Sequence, residues 1–294
     1  MMNVFLTVLE IVAPVILIAS IGFSWIKKGW EYPTQFITNL VMTVSMPALM
    51  FISLVNTEID PKAIANIFIA AITCYLILTV IIFLVVKILS LELKTYWQPL
   101  LFSNTGNLGM PLALFAFGEL GFDYALLVFA VMAIYAYSVG VWMFSGGGSF
   151  LTIFKEPVVL ATILGAVFMV QGWKVPTFLN NALEILGQIV VPLMLLTLGA
   201  ALAKLTTPSY GRFVWLTLLK FILCTATAFT IGSLLDLEPI ALSVLTLQFA
   251  TPVAVTSYLL AQKYGANAED VAGLVVVSTT LSIILLPLLI IFLL

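Results

Sequence analysis

The strongest constraint on this chain is a succession of uninterrupted apolar runs, each long enough to cross about 30 Å of hydrocarbon as a helix. The runs are read at 3–26, 34–55, 65–90, 95–117, 124–145, 150–172, 178–203, 210–235, 239–261 and 270–293. Only 8% of the 294 residues are charged and 63% are hydrophobic, against about 25% charged in an ordinary soluble domain. So little polar surface cannot cover a globule in water, and lipid must be the solvent. A β-barrel is excluded because the runs are continuous rather than alternating. The first run is too long for a cleavable signal and no basic residue precedes it. The connections are short and leave no room for an attached soluble domain.

The complete lack of histidine removes Ser-His and Cys-His dyads, histidine metal sites and histidine-ligated haem. No metal site, cofactor or nucleic-acid partner is expected. Cys74 and Cys224 fall inside spans, where small apolar packing is the expected role.

Charge sets the orientation. With connections numbered alternately, one side collects Lys27, Lys28, Lys87, Lys94, Lys155, Lys204, Arg212 and Lys263. The other holds only Lys62 and Lys174, beside Glu58, Asp60, Glu119, Asp123, Asp236 and Glu238. Short basic loops stay cytoplasmic, so an even number of spans with both termini outside the cytoplasm is expected, in the inner (plasma) membrane. Lys220 and Lys87 read as lying toward the basic ends of their spans, which leaves no cation expected at mid-depth. Glu10 and Glu184, near the outer ends of theirs, read as interfacial.

Prolines expose an internal duplication. Twelve of thirteen pair off as Pro14/Pro157, Pro33/Pro176, Pro47/Pro192, Pro61/Pro208, Pro99/Pro239 and Pro111/Pro252, at offsets of 143, 143, 145, 147, 140 and 141. Gly22/Gly165 and Gly121/Gly265 follow at 143 and 144. Each repeat would hold five spans, an odd number, so the second enters the membrane inverted, the plan of many secondary transporters. The expected division is 1–145 for the first repeat, a Gly-rich joint at 146–149, and 150–294 for the second. The fold class is thus an all-α polytopic membrane protein of ten helices in two inverted five-helix repeats.

Polar chemistry concentrates in two places. The fourth span carries Asn104-Thr105-Gly106-Asn107-Leu108-Gly109-Met110-Pro111 and the ninth Gln248-Phe249-Ala250-Thr251-Pro252. Glycine costs about 1 kcal/mol and proline about 3 in a helix interior, so both spans are expected to break there. Backbone freed in a membrane survives only inside protein or beside a wet cavity. Two breaks crossing at the midplane would offer half-helix ends to a solute, with Asn104, Thr105, Asn107, Gln248 and Thr251 adding neutral donors and acceptors. A simple kink is the alternative for either proline.

The Asn-x-Gly-Asn-x-Gly-x-Pro stretch at 104–111, set in ten spans, resembles the auxin efflux carrier family over essentially the whole chain. That family includes plant auxin exporters and bacterial permeases for malate or malonate, and is distantly similar to sodium–bile acid symporters. The resemblance implies an elevator-type secondary transporter. Helices 1, 2, 6 and 7 would form a scaffold that often dimerises, while helices 3–5 and 8–10 would carry the crossed breaks as a sliding transport domain. Pro47 and Pro192 would bend helices 2 and 7 at the interface, and Ser45, Tyr135, Tyr137 and Ser138 would contact substrate. Sodium-coupled cousins place a carboxylate where this chain has Gln248, so proton, sodium and uncoupled mechanisms stay open. The expected cargo is a small organic anion such as a carboxylate, with a neutral or cationic solute, or ion-coupled symport, as alternatives. Exporting a monoanion against about 150 mV, interior negative, is favourable by roughly 3.5 kcal/mol without any coupled ion.

Overall fold

The computed structural model describes residues 2–57, 59–140, 142–143, 156–204 and 210–294. The glycine-rich joint at 146–149, Glu58, Lys155 and Pro208 lie outside the described residues, as does the side chain of Tyr137. Apart from one two-residue bridge, the described residues form helices joined by short turns.

Chain order runs α1 (Met2–Lys27), α2 (Thr34–Leu40), α3 (Met46–Asn56), α4 (Pro61–Ile88), α5 (Leu93–Leu101) and α6 (Met110–Tyr135). It continues with α7 (Pro157–Gln171), α8 (Thr177–Gln188), α9 (Val190–Lys204), α10 (Tyr210–Leu234), α11 (Pro239–Ala250), α12 (Val255–Tyr264) and α13 (Ala268–Leu293). Wide π-helical turns occur at Val41–Ser45, Thr105–Gly109 and Ala136–Gly140. Seven stretches among the described residues are long and apolar enough to cross a membrane. The chain is a multi-pass membrane protein.

Local chemistry explains the ends. Asp60 caps α4 by accepting from the Lys62 N–H at 2.7 Å, and Asn267 caps α13 by accepting from the Asp270 N–H at 3.1 Å. Pro61, Pro157 and Pro239 open their helices, where a missing N–H costs nothing. Gly172 and Gly265 close α7 and α12 with left-handed φ of 64° and 67°. Gly118, at φ 67° and ψ −161°, folds the stretch 105–140 into two arms. The first arm is the second half of the expected fourth span, and the second arm lies along the expected fifth.

The side facing away from the protein is apolar. On α4, Leu76, Val80, Leu84 and Ile88 are exposed at every fourth position, while Ala71, Cys74, Tyr75, Leu78 and Ile82 are buried. A stripe of that kind is at home in lipid and would be an aggregation surface in water.

Packing sorts the helices into two groups. In the first, α1 lies along α9, and α3 along α7 and α8. In the second, α10 packs on α11, α13 and α4, and α6 packs on α11 and α4. The groups meet where α1 touches α6 and α13, and where the turn Thr105–Gly109 touches α9. Helix 2 of the expected scheme widens into a π-turn at Val41–Ser45, just before Pro47. The expected helix 7 is interrupted at Ile189, just before Pro192.

Glycine sets the closest crossings. A Cβ on Gly199 would lie 1.8 Å from the Ala19 carbonyl oxygen, and one on Gly22 2.1 Å from that of Leu196. On the opposite pair, a Cβ on Gly165 would sit 3.0 Å from the Leu54 Cβ. Gly22 and Gly165, which match at an offset of 143, thus seat α1 on α9 and α7 on α3 in corresponding ways. Replacing Gly199 by Leu should cost about 3 kcal/mol or more through overpacking against backbone. The expected result is a lowered melting temperature in detergent, whereas Gly211→Ala, with open space around its α-carbon, should leave melting unchanged.

Candidate substrate site at the crossing of two broken helices

The two polar stretches meet. Helix α5 ends at Leu101 and the chain runs extended through Phe102, with φ −90° and ψ 120°, before Thr105 starts the next helical turn. Helix α11 ends at Ala250, and Thr251 turns extended at φ −61° and ψ 153°. Pro252 dictates that second break, because a residue preceding proline is driven out of the helical region. Ser103 and Val253 form an antiparallel bridge. The Asn104 N–H donates to the Pro252 carbonyl at 2.7 Å, and the Ala254 N–H to the Phe102 carbonyl at 3.2 Å. Each break thereby satisfies backbone groups of the other, which a membrane interior requires.

The breaks sit slightly away from where the sequence places them. Only the first residue of the 104–111 motif, Asn104, is out of helical conformation; Thr105–Gly109 is a π-turn that leads into α6, with Pro111 in its first turn. The break is Phe102–Asn104, which overlaps the start of the motif. Likewise Gln248 to Ala250 form the last turn of α11, and the extended segment begins at Thr251. Glycine and proline in the motif shape a helix start, where a proline is tolerated and glycine permits close approach.

Polar side chains at the crossing are buried and short of partners. Asn104 occupies the cap position of its half-helix without making a capping bond. Its Nδ2, the Thr105 hydroxyl and both amide atoms of Gln248 are buried and lack hydrogen-bond partners. The first N–H groups of the half-helix starting at Thr105 have no intrahelical acceptor either. Thr251 is satisfied, its hydroxyl donating to the Gln248 carbonyl at 2.7 Å. Asn107 alone among the 104–109 residues is not fully buried. Gly109 lets the Gln248 amide lie against the turn, since a Cβ there would be 2.2 Å from the Gln248 Oε1. A Cβ on Gly106 would lie 3.0 Å from the Phe129 Cε2 of α6 and 3.3 Å from the Met194 Cε of α9, so the glycine sits between the two groups of helices. Ala250 and Pro252 are buried and contribute backbone.

One group that the sequence reading placed elsewhere stands at the centre. Lys220 of α10 is 3% exposed, and its Nζ donates to the Ser103 hydroxyl at 2.6 Å and to the Thr251 carbonyl at 3.2 Å. Ser103 passes its own proton to the Phe249 carbonyl at 2.9 Å. Among the described residues no carboxylate lies within ion-pairing distance of Lys220. The expectation of no cation at the crossing is therefore corrected. The signal was present in its spacing: Phe213, Leu216, Thr217, Lys220, Cys224 and Ala228 are all buried on one face of α10. Ten residues into a helix is about 15 Å of depth, too deep for the side chain to reach an interface.

The other expected contacts are less central. Tyr135 stands behind the crossing, its hydroxyl 2.8 Å from that of Thr79 and its ring stacked 5.3 Å from Tyr75. With Phe102 and Phe249 these rings form an aromatic backing to the breaks. Ser138 bonds back to the Ile134 carbonyl at 2.7 Å. Ser45 is buried with an unpartnered hydroxyl, in a turn that packs mainly on α2, α3, α7 and α8. Two cavities flank the crossing. An apolar one of about 180 Å³ lies between the two groups of helices, with Val15, Phe23, Leu108, Leu198 and Ser282 in its wall. A water-sized one of about 10 Å³ adjoins Lys220, Thr217, Thr251, Ser278 and Ser282. Ser282 borders both.

The contact between Gly109 and Gln248 can be tested by a double-mutant cycle. Gly109→Ala alone should lower stability by about 1–2 kcal/mol by displacing the amide. In a Gln248→Ala background the same change should cost less than about 0.5 kcal/mol, measured by thermal unfolding in detergent.

Comparison with known proteins points to transport. A family model described as "Membrane transport protein" matches the chain twice, at residues 7–153 and 148–290. An uncharacterized transporter of Methanocaldococcus jannaschii is 27% identical over 279 residues, 88% of this chain and 89% of that protein. Another from Methanothermobacter thermautotrophicus is 24% identical over 300 residues, 97% and 98% of the two chains. The relatives are named as transporters, not enzymes, and the chain belongs to the membrane transport protein family of auxin efflux carriers.

Proposed function

We propose that the protein is a carrier for a small organic anion, bound where the two broken helices cross. The observation that carries this reading is a buried site whose polar atoms outnumber their partners. Asn104 Nδ2, the Thr105 hydroxyl and the Gln248 amide are desolvated and unpaired, and each such group costs about 1–3 kcal/mol until something bonds to it. The Lys220 ammonium adds a positive charge with no carboxylate beside it among the described residues. An anion answers both deficits; a cation would worsen the second. That favours the anionic cargo over the neutral or cationic one.

The same reading takes the chain as ten spans in two inverted repeats that work as an elevator. The two family matches fall one to each half, and the paired glycine crossings and paired breaks follow the proline register. The group made by α1, α3, α7, α8 and α9 serves as the scaffold, dimeric in the membrane, and the other group as the moving domain. Both termini face away from the cytoplasm, following the distribution of Lys and Arg. Movement of the second group past the first carries the crossing from one side to the other. The interface between them is suited to sliding, being apolar and narrow at Gly106 and Leu108.

Reconstituted into liposomes, the protein should take up or release a carboxylate with saturable kinetics and without single-step conductances. Asn104→Ala and Thr105→Ala should each reduce that flux at least tenfold while the melting temperature stays within a few degrees. Undiminished flux in both variants would remove the crossing as the site, and unitary current steps would make the protein a channel.

A further inference from the structure

We infer that the seam between the two groups of helices holds one acyl chain of an anionic phospholipid, with the headgroup on the lysines that end α1. An apolar cavity of about 150 Å³ stays dry and takes up benzene, so the one of about 180 Å³ in this seam has room for part of a hydrocarbon chain. Its floor is buried, at Val15, Leu198 and Leu286. Its mouth is not: Ile16, Phe23 and Ile283 line it and are exposed, as is Ser20. Exposed apolar side chains on this surface face lipid, so a bilayer chain reaches the cavity without crossing water. Polar groups in the wall are the hydroxyls of Ser20, Thr279 and Ser282, and that of Ser282 donates to the Thr279 carbonyl at 2.7 Å. Among the described residues no charged side chain lines the cavity, so the body of its occupant is apolar.

The register of α1 puts charge at the mouth. Ile16, Ser20, Phe23 and Lys27 follow at steps of three or four residues and share a face. The Lys27 Nζ lies over the Phe23 ring at 5.4 Å. Lys28 follows, over the Trp30 ring at 5.1 Å, and Trp30 meets Trp25 edge-on at 4.7 Å. Lys204, at the end of α9, donates to the Thr34 hydroxyl at 3.0 Å and the Tyr32 carbonyl at 3.4 Å, bringing a third ammonium to the same loop. Among the described residues none of the three forms an ion pair. The loop's acid, Glu31, is tied through its carbonyl, which accepts from the Trp25 Nε1 at 3.0 Å. Three ammonium groups against one carboxylate leave the loop positive. Exposed tryptophans mark the headgroup level of a bilayer, and Trp25 and Trp30 are both exposed. A rise of 1.5 Å per residue sets Phe23 about 6 Å and Val12, deep in the cavity wall, about 22 Å below Lys27. A phosphate at the lysines and a chain running inward match that span.

Each part of such a lipid answers a different deficit. The chain supplies the dispersion contacts that the lining of a void forfeits. The phosphate is held by charge, worth about fivefold in binding for each lysine near the surface. A zwitterionic lipid offers the same chain, but its own cation opposes the second attraction. On the orientation proposed above, these lysines face the cytoplasm, the side whose leaflet carries anionic lipid. The wall is shared by both groups of helices, with α1 and α9 on one side and α13 and the turn bearing Leu108 on the other. A chain lodged there fits the two groups only as they are now placed. The lipid is therefore a brake on the proposed sliding, since it must withdraw before the groups can move. Binding itself needs nothing from the crossing; only the brake rests on the carrier reading.

The test uses the full chain, purified in detergent and stripped of native lipid. Dioleoyl phosphatidylglycerol, dioleoyl phosphatidylcholine and soluble glycerol phosphate are the probes. Phosphatidylglycerol should raise the melting temperature saturably, whereas the same chains on a zwitterionic head, or the phosphate without chains, should not. Equal shifts by the two lipids, or a full shift by glycerol phosphate, would overturn the inference. The double variant Lys27→Gln/Lys28→Gln should bind phosphatidylglycerol about 25-fold more weakly, and Lys27→Arg/Lys28→Arg should bind it normally. Lys263→Gln, which removes a lysine outside this loop and cavity, should also bind normally; a loss as large as that of the double variant would mean general surface attraction and defeat the site. Ser20→Trp, which fills the mouth, should abolish the melting shift. Should that variant not fold, phosphatidylglycerol with a photoreactive diazirine in its chain gives an independent answer. It should label α1 and α13 of the wild type, and labelling confined to other helices would refute the placement. In proteoliposomes, a higher share of phosphatidylglycerol should slow carboxylate flux severalfold in the wild type and less in Lys27→Gln/Lys28→Gln. Flux that ignores a lipid shown to bind would overturn the brake. Failure of the carrier reading looks different: no carboxylate flux in any lipid, with the melting and labelling results unchanged.

Discussion

Everything at the centre of this protein depends on two short extended segments lending each other their backbone. Helices in a bilayer keep their polar groups paired within one element. Phe102–Asn104 and Thr251–Ala254 give that up, and recover it through the bonds from Asn104 to Pro252 and from Ala254 to Phe102. The Val253 N–H goes further afield, to the Ser278 hydroxyl of α13 at 3.0 Å. The arrangement is possible only if both helices break at the same depth and meet. Half-helices then end in the middle of the protein, where N–H groups and carbonyls are otherwise never free. A site made of backbone and neutral side chains follows from that one exchange.

Lys220 completes the electrostatics. A lone ammonium in an apolar interior would cost many kcal/mol without compensation. Here compensation comes from dipoles rather than from a counter-charge, through Ser103 and the end of α11. Removing water and supplying only neutral acceptors leaves the charge solvated but not cancelled. The neighbouring polar atoms of Gln248, Asn104 and Thr105 remain unpaired in the same small region. Partial satisfaction of this kind is expensive in a core that only has to fold, and it is the observation on which the proposed anion site rests.

Much of this was legible in the sequence, and the parts that were not have physical reasons. Span positions follow from apolar length alone, and the paired prolines at near-constant offset located both breaks to within a few residues. The offset of 143 also anticipated that Gly22 and Gly165 would do matching work at helix crossings. The exact break at Phe102–Asn104 was hidden because Gly106, Gly109 and Pro111 are read as helix breakers, whereas at a helix start they are tolerated. Tyr135 and Ser138 proved to be tied to Thr79 and to their own helix, partnerships set by folding rather than by local pattern. Lys220 was misplaced because charge in a span was read by its distance from loops. The buried face that it shares with Phe213, Thr217, Cys224 and Ala228 was the better guide.

The proposed moving domain needs rigidity of its own if the crossing is to travel intact, and the ends of the broken helices supply it. Tyr96, at the start of the first broken helix, donates to the Asp270 carboxylate of α13 at 2.5 Å. At the start of the second, Glu238 accepts from the Tyr124 hydroxyl of α6 at 3.1 Å. The two links are counterparts with donor and acceptor exchanged: in each repeat, a tyrosine–carboxylate bond ties the entrance of a broken helix to the fifth helix of the other repeat. The Arg212 guanidinium lies over the Tyr96 ring at 4.7 Å, adding α10 to the first link. Half-helices pinned at their outer ends and paired at their inner ends have little freedom to shift alone. Motion is then left to the surface where neither kind of bond is found, the apolar seam between α1, α9, α6 and α13. That seam holds the apolar cavity of about 180 Å³ and is bordered by Ser282, which also lines the small cavity beside Lys220. The proposed inverted duplication would account for both the crossing of the two breaks and the two clamps at their ends, and leaves the proposed sliding to the one face on which the crossing meets the other group of helices.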